Sequence, residues 1–227
     1  MVGFERGLAM GRYRVCKSFG WQGPISERAA AVMRMFGVSA ELLRRRAVRH
    51  RCEVDIEPGQ IVYITGPSGS GKSVLLRELE KCVAADERVN LDDIELPEDR
   101  CVVDCFESPV VATLRFLSTA GLNDVFCVLN RPRRLSEGQQ WRFRLAMALA
   151  SGKKWVFADE FCCGLDRVTA AVISYNVHKF ARRNGVTFIL ASSHEDVLAD
   201  LRPDALIVKE LAGQTRVIYK DVRKGVG

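Results

Sequence analysis

One stretch decides the fold class: Gly66-Pro67-Ser68-Gly69-Ser70-Gly71-Lys72-Ser73, which has the spacing G-x-x-x-x-G-K-S. It follows an apolar run over residues 61–65 that predicts a buried strand, and it opens a helix expected over residues 73–85. Glycines allow backbone N–H groups to close around phosphate oxygens, and the start of the helix adds positive potential. We therefore predict that all eight residues bind a nucleotide, with Lys72 on the β- and γ-phosphates and the Ser73 hydroxyl on Mg²⁺.

A second motif stands at the end of a later strand. The apolar segment Trp155-Val156-Phe157-Ala158 leads directly into Asp159 and Glu160. Acids at the carboxyl end of a parallel strand lie beside the nucleotide crevice. We expect Asp159 to hold Mg²⁺, and we expect Glu160 to be the catalytic group that orients or deprotonates the attacking water.

Strand-like and helical segments alternate along most of the chain. This alternation predicts an α/β fold with a mostly parallel sheet and flanking helices. Helices are expected over residues 26–36, 39–47, 73–85, 110–120, 122–129, 137–150 and 167–183. Strands are expected over residues 48–56, 61–65, 89–91, 101–104, 155–159, 186–191, 205–208 and 216–219, while the first 25 residues read as irregular.

Three further motifs are present, one before and two after the acidic strand end. They are Leu135-Ser136-Glu137-Gly138-Gln139 at the predicted start of a helix, then Gly164-Leu165-Asp166, then His194. Together with the phosphate loop and the acidic strand end, this order resembles the ATP-binding cassette (ABC) ATPases, whose signature is Leu-Ser-Gly-Gly-Gln. Glu137 stands here at the third position of that signature.

The resemblance covers roughly residues 48–210 and implies a P-loop NTPase fold of the ABC type. It implies a short helical subdomain over about residues 107–150 and an antiparallel part near the N-terminus. We expect residues 48–227 to form the ATPase domain, and residues 1–47 to form a partly helical N-terminal extension of unknown role.

The resemblance also implies cofactors and residue roles. The cofactors would be ATP and Mg²⁺, and two copies of the chain would close head to tail around two ATP molecules. Ser136, Gly138 and Gln139 would complete the site of the other copy, and Asp166 would lie in the D-loop. His194 would be the catalytic sensor of the γ-phosphate, with Lys72 and Glu160 in the same reaction. Taken alone, Ser136 is also an ordinary helix cap.

The chain departs from the family pattern in two places. Residues 95–115 contain no glutamine, so the glutamine of the Q-loop is not evident, and Glu107 is the candidate to replace it. The aromatic residue that would stack on adenine is also open. Phe36 is the first candidate, and Phe19 and Trp21 compete with it.

Composition limits the class of protein. The 227 residues carry a net charge of +6, and no stretch approaches the roughly 18 uncharged apolar residues of a membrane span. The first residues lack the layout of a secretory signal, so we expect a soluble, cytoplasmic protein with no direct membrane insertion. The eight cysteines include no C-x-x-C pair and only three histidines accompany them, which favours reduced thiols over a zinc site.

The process driven by ATP hydrolysis has three candidates. Segments around the motifs are similar to soluble, non-transporter ABC ATPases, some of which are associated with GNAT-type acetyltransferases; this implies an unidentified protein partner. The first alternative is an ATP-binding subunit of a membrane transporter. The second is a DNA-associated ABC ATPase, because two basic clusters would suit phosphate backbones. The clusters are Arg44, Arg45, Arg46, Arg49 and Arg51, and Arg131, Arg133 and Arg134. A solvated helix face, or pairing with an acidic surface at the dimer, is the simpler interpretation of these clusters. For Arg131–Arg134, contact with the nucleotide of a partner copy is a further alternative.

Overall fold

The computed structural model describes residues 11–19, 23–45, 48–211 and 214–220. Several short 3₁₀ turns connect the main elements. The strands are β1 (Gly11–Phe19), β2 (Val48–Ile56), β3 (Ile61–Thr65), β4 (Arg88–Asn90), β5 (Trp155–Ala158), β6 (Thr187–Ala191), β7 (Ala205–Lys209) and β8 (Thr215–Tyr219). The helices are α1 (Glu27–Met35), α2 (Ala40–Arg45), α3 (Lys72–Lys81), α4 (Val110–Thr119), α5 (Val125–Val128), α6 (Glu137–Ala150), α7 (Arg167–Asn184) and α8 (Leu198–Leu201).

The central sheet has six strands in the order β4-β5-β6-β3-β7-β8. All neighbouring pairs are parallel except β7 and β8. Strand β3 leads into the phosphate loop, and β5 leads into Asp159 and Glu160. Since parallel strands point the same way, the two motifs emerge at the same edge of the sheet. The predicted α/β fold with a mostly parallel sheet is confirmed.

The antiparallel N-terminal part is the ribbon formed by β1 and β2, which pair from Gly11↔Ile56 to Phe19↔Val48. Alternation in β2 turns one face inward: His50, Cys52, Val54 and Ile56 are all buried. Helices α1 and α2 are inserted between the two strands, and α1 has no buried residue. The division of the chain at residue 47 stays a prediction.

The expectation that residues 1–25 are irregular is wrong for residues 11–19, which form β1. Alternation explains the strand, because Val15 is buried while Arg12 and Arg14 are exposed. The two arginines form ion pairs with β2, such as the 2.9 Å contact from Arg12 to Asp55. These two arginines therefore pair across the ribbon.

Two local predictions between residues 100 and 130 also need correction. The strand expected over residues 101–104 is a 3₁₀ turn, Val102–Cys105, in which the Asp104 N–H donates to the Cys101 carbonyl at 3.0 Å. The Cys101 thiol and the Asp104 carboxylate reinforce that turn at 2.9 Å. The helix expected over residues 122–129 contracts to Val125–Val128, because the Asp124 carboxylate caps it at the Phe126 N–H.

Within the described ranges, no helix combines the length and the apolar character that crossing a bilayer requires.

Candidate active site

The phosphate loop follows β3 without an intervening residue and ends in α3. Gly66 has a φ of +142°, a value that side-chain-bearing residues rarely adopt. A Cβ on Gly66 would overlap the carbonyl of Lys209 and would lie 3.1 Å from its carbon atom. The motif therefore needs glycine here because β7 passes directly beside the loop.

A cleft of about 370 Å³ opens at this edge of the sheet. The loop contributes Ser68, Gly69, Gly71, Lys72 and Ser73 to its lining, and the acidic strand end contributes Asp159 and Glu160. Cys163, Ser192 and Ser193 complete the polar wall. The structure thus places the predicted phosphate, metal and catalytic residues of two distant segments around one cavity.

Lys72 lies folded over the loop. Its ammonium group donates to the carbonyl oxygens of Gly66 at 2.8 Å and Pro67 at 3.1 Å. The Ser70 side chain is buried. Gly66, Pro67 and Ser70 are not among the cleft's lining residues.

The turn that follows β5 and contains Asp159 and Glu160, called the acidic turn below, has unusual backbone geometry. Glu160 and Cys162 have φ values of +48° and +59°, which cost of order 1 kcal/mol each for such residues. The turn is held because the Phe161 N–H donates to the Ala191 carbonyl at 2.8 Å and the Phe161 ring is fully buried. The Asp159 carboxylate accepts the Glu160 N–H at 3.0 Å. Packing around Phe161 thus fixes both acids at the cleft.

The oxygen donors of the cleft fit Mg²⁺. This ion binds through one or two protein oxygens and otherwise keeps water and phosphate ligands. Ser73 and Asp159 supply a hydroxyl and a carboxylate to the same cavity. In the part of the chain that the structure describes, no cluster of three or more His, Cys, Asp or Glu residues could enclose a metal. The site therefore suits an ion that arrives with a phosphate ligand.

His194 is exposed and is not one of the residues that line the cleft. Its backbone is tightly anchored: the N–H donates to the Ser192 hydroxyl at 3.1 Å, and the carbonyl accepts the Tyr63 hydroxyl. Ser192 and Ser193 line the cleft, so the histidine follows its wall directly in sequence. Its role as γ-phosphate sensor stays a prediction.

The signature residues lie away from the cleft of their own chain. Ser136 and Gln139 form a capping box at the start of α6, with backbone-to-side-chain hydrogen bonds of 3.0 and 3.4 Å. Gly138 lies beside Leu165, whose Cδ2 would be 3.0 Å from an added Cβ. Asp166 caps α7 by accepting the Thr169 N–H at 3.0 Å. The Thr169 side chain first, and then this N–H, lower the Asp166 pKa through hydrogen bonds to its carboxylate. None of Ser136, Gly138, Gln139 and Asp166 lines the cavity around Lys72.

Asp92 does not line the cleft, but it interacts with the acidic strand end, and the sequence interpretation did not single it out. It follows β4, which pairs in parallel with β5 in the register Asn90↔Phe157, so it emerges beside Asp159. Burial and then the charge of Asp159 raise the Asp92 pKa. The carboxylate forms a 3.5 Å ion pair with Arg77 of α3. The acidic run after the predicted strand at residues 89–91 was the available signal.

The other candidates lie outside the cleft or outside the described residues. Glu107 is exposed and does not line the cavity. Phe36 is 78% exposed on the insertion between β1 and β2, whereas the Phe19 side chain and all of Trp21 lie outside the described residues. The same holds for Arg46 and for the side chains of Arg44, Arg45 and Arg49. Arg51, Arg131, Arg133 and Arg134 are exposed, and Arg133 pairs with Glu98.

Known proteins are similar to this chain in sequence. The sequence profile of the family "ABC transporter" matches residues 50–108, which include the phosphate loop. The lipoprotein-releasing system ATP-binding protein LolD of Novosphingobium aromaticivorans is 29% identical over 75% of this chain and 88% of its own length. The spermidine/putrescine import ATP-binding protein PotA of Vibrio cholerae is 24% identical over 84% of this chain. The alignment spans only 59% of PotA.

Solved structures extend the comparison to the fold. The dimeric ATP-binding cassette MJ0796, in a post-hydrolysis state bound to ADP and Pi, superposes with a TM-score of 0.61. It is 20% identical and matches 75% of this chain and 91% of its own. The ADP conformation of the cassette MJ1267 gives a TM-score of 0.59, with 19% identity over 77% of this chain and 85% of its own.

Proposed function

We propose that this chain is an ABC-type ATPase that binds MgATP, closes head to tail with a second copy around two ATP molecules, and transmits that closure to a partner protein. One observation carries the proposal: Lys72, Ser73, Asp159 and Glu160 line a single cleft. This set supplies a cation for phosphate, oxygen ligands for Mg²⁺ and a carboxylate for water.

Each residue of the cleft has a distinct task. Backbone N–H groups of the loop and the Lys72 ammonium bind the phosphate oxygens. Ser73 and Asp159 would hold Mg²⁺, which when bound neutralises charge on the phosphates. Glu160 accepts a hydrogen bond from the attacking water and takes its proton as the water oxygen bonds to the γ-phosphorus. The bond from that phosphorus to the β,γ-bridging oxygen breaks at the same time, and the products are ADP and inorganic phosphate. His194, at the end of the cleft wall, donates a hydrogen bond to the γ-phosphate.

The signature of one copy would face the ATP of the other. The N-terminus of α6 is exposed at Ser136, and it lies away from the cleft of its own chain. A helix N-terminus attracts anions, so a second copy's γ-phosphate is a suitable ligand. Gly138 and Gln139 lie in the same first turn, and Asp166 begins the neighbouring α7. In a two-fold arrangement, the signature of each copy would face the cleft of the other, so the dimer would hold two equivalent sites.

We propose a protein partner first, and a cytoplasmic location for the complex. The similarity to soluble ABC ATPases that accompany GNAT-type acetyltransferases favours an enzyme as partner. The second candidate is a transporter's membrane subunit, favoured by relatives named for import and for lipoprotein release. A DNA-associated ATPase is the third candidate, because Arg51 and Arg131 are exposed members of the two basic clusters.

The decisive experiment replaces Glu160 by Gln. We expect Glu160→Gln to bind MgATP with near wild-type affinity, to lose turnover by at least about a hundredfold, and to sediment as an ATP-dependent dimer. Glu27→Gln is the matched control, because Glu27 lies in the exposed helix α1. Wild-type turnover in Glu160→Gln would refute the base assignment. A monomer at saturating MgATP would refute the head-to-tail closure.

A further inference from the structure

The loop that carries His194 is tied to the strand that precedes the phosphate loop. Tyr63 lies in the middle of β3 and is fully buried, yet its hydroxyl donates to the carbonyl oxygen of His194. Burial raises the pKa of Tyr63 to about 12, so the hydroxyl remains protonated and acts as a donor around neutral pH. One further contact comes from β3: Thr65 Oγ1 donates to the Glu195 carboxylate at 3.3 Å.

Ser192 provides a second anchor on the other side of the same peptide segment. Its hydroxyl accepts the His194 N–H at 3.1 Å. The Cys163 thiol lies 3.4 Å from the same oxygen. Ser192 is buried, and its own N–H donates to the Ile64 carbonyl at 3.0 Å. Both backbone polar groups of His194 are thus held by side chains that are themselves fixed.

We propose that Tyr63 and Ser192 are positioning residues for hydrolysis, which hold the exposed His194 at the γ-phosphate end of the cleft. The inference rests on the proposed role of His194. It adds a physical link between the phosphate loop and its sensor, because Tyr63 and the loop belong to one rigid strand-to-helix connection. Ser192 joins the same network to the acidic turn through Cys163.

The test uses variants that remove single hydroxyl groups. Tyr63→Phe keeps the buried ring, Ser192→Ala keeps the small side chain, and Tyr175→Phe is the matched control on the exposed face of α7. We expect kcat to fall about fivefold in each of the two site variants, with KM for MgATP within twofold of wild type. The double variant should lose less than the product of the single effects, because both hydroxyl groups act on one peptide segment.

An imidazole NMR spectrum of the nucleotide-free protein gives a readout that is independent of turnover. The chain has three histidines, and the signal that disappears in His194→Ala is that of His194. Tyr63→Phe should shift the His194 signal and leave the His178 signal in place. Unchanged kcat and an unchanged His194 signal, beside an inactive His194→Ala, would overturn this inference alone. Wild-type turnover in His194→Ala would overturn the proposed role of the histidine as well.

Discussion

The imidazole ring of His50 lies directly against Gly71. A Cβ built on Gly71 would come within 2.8 Å of His50 Nδ1, closer than such atoms approach in proteins. His50 is buried on the inner face of β2, and burial together with the Lys209 charge lowers its pKa. A neutral ring from the antiparallel ribbon therefore supports the phosphate loop just before Lys72.

This contact predicts an asymmetry between two glycines of the loop. Gly71→Ala should weaken ATP binding by more than tenfold, because the new methyl group collides with the buried ring at a φ of +89°. Gly69→Ala is the control, since its φ of +76° is similar but no atom lies within 4 Å of its added Cβ. Equilibrium binding of a fluorescent ATP analogue measures both.

His50→Ala in the Gly71→Ala background separates the collision from backbone strain. We expect the double variant to recover part of the lost affinity, because it removes the ring and leaves only the positive φ. Equal affinities of Gly71→Ala and the double variant would show that strain alone causes the loss.

Variants of Ser136 distinguish two roles of this residue: N-cap of α6, or binding site for the γ-phosphate of the partner's ATP. Ser136→Ala removes the N-cap of α6 and should lower the free energy of unfolding by about 1 kcal/mol. Ser136→Asp keeps a good cap, so stability in urea should stay near wild type. Its carboxylate would face the partner's γ-phosphate, so Glu160→Gln with Ser136→Asp should remain monomeric with MgATP in sedimentation.

The control for this prediction is Ser26, which caps α1 by accepting the Ala29 N–H at 3.2 Å. Ser26→Asp in the Glu160→Gln background should leave the ATP-dependent dimer intact. A normal dimer with Ser136→Asp would mean that Ser136 only caps its helix.

The cysteines predict a pattern of chemical modification. All eight are free thiols. Burial disfavours the thiolate and raises the pKa to about 11 in Cys52 and to about 12 in Cys162, so at pH 8 fewer than about one in a hundred of these groups is ionised. We expect iodoacetamide to modify the exposed Cys16 and the cleft residue Cys163 first, as read by peptide mass spectrometry.

Saturating MgATP should slow the modification of Cys163 and leave that of Cys16 unchanged, because only Cys163 lines the cleft. Raising the pH from 8 to 10 should speed the reaction of Cys52. As long as the pH is below the pKa of this thiol, each increase of one pH unit raises the thiolate fraction about tenfold. Equal protection of both thiols, or none at Cys163, would contradict a nucleotide in this cleft.

Local patterns in the sequence were enough for much of the fold and for the centre of the site. The bounds of α6 are those predicted, because Ser136 and Gln139 form a capping box within one turn. Strand β3 and the phosphate loop were also predictable, since a glycine spacing and an apolar run encode them directly. Residues 11–19 were misread because pairing with the distant strand β2 decides their conformation, and residues 101–104 were misread because a local turn between Cys101 and Asp104 replaces the expected strand.

The sequence by itself determined which residues we propose to carry the chemistry: Lys72, Ser73, Asp159 and Glu160 stand in motifs whose spacing follows from local backbone geometry. Only the tertiary structure decided what surrounds them. The parallel pairing of β4 with β5 brings Asp92 towards Asp159, the ribbon brings His50 to Gly71, and β3 brings Tyr63 to His194. These contacts depend on strand order and register, which join segments far apart in the chain and leave no short-range pattern in it.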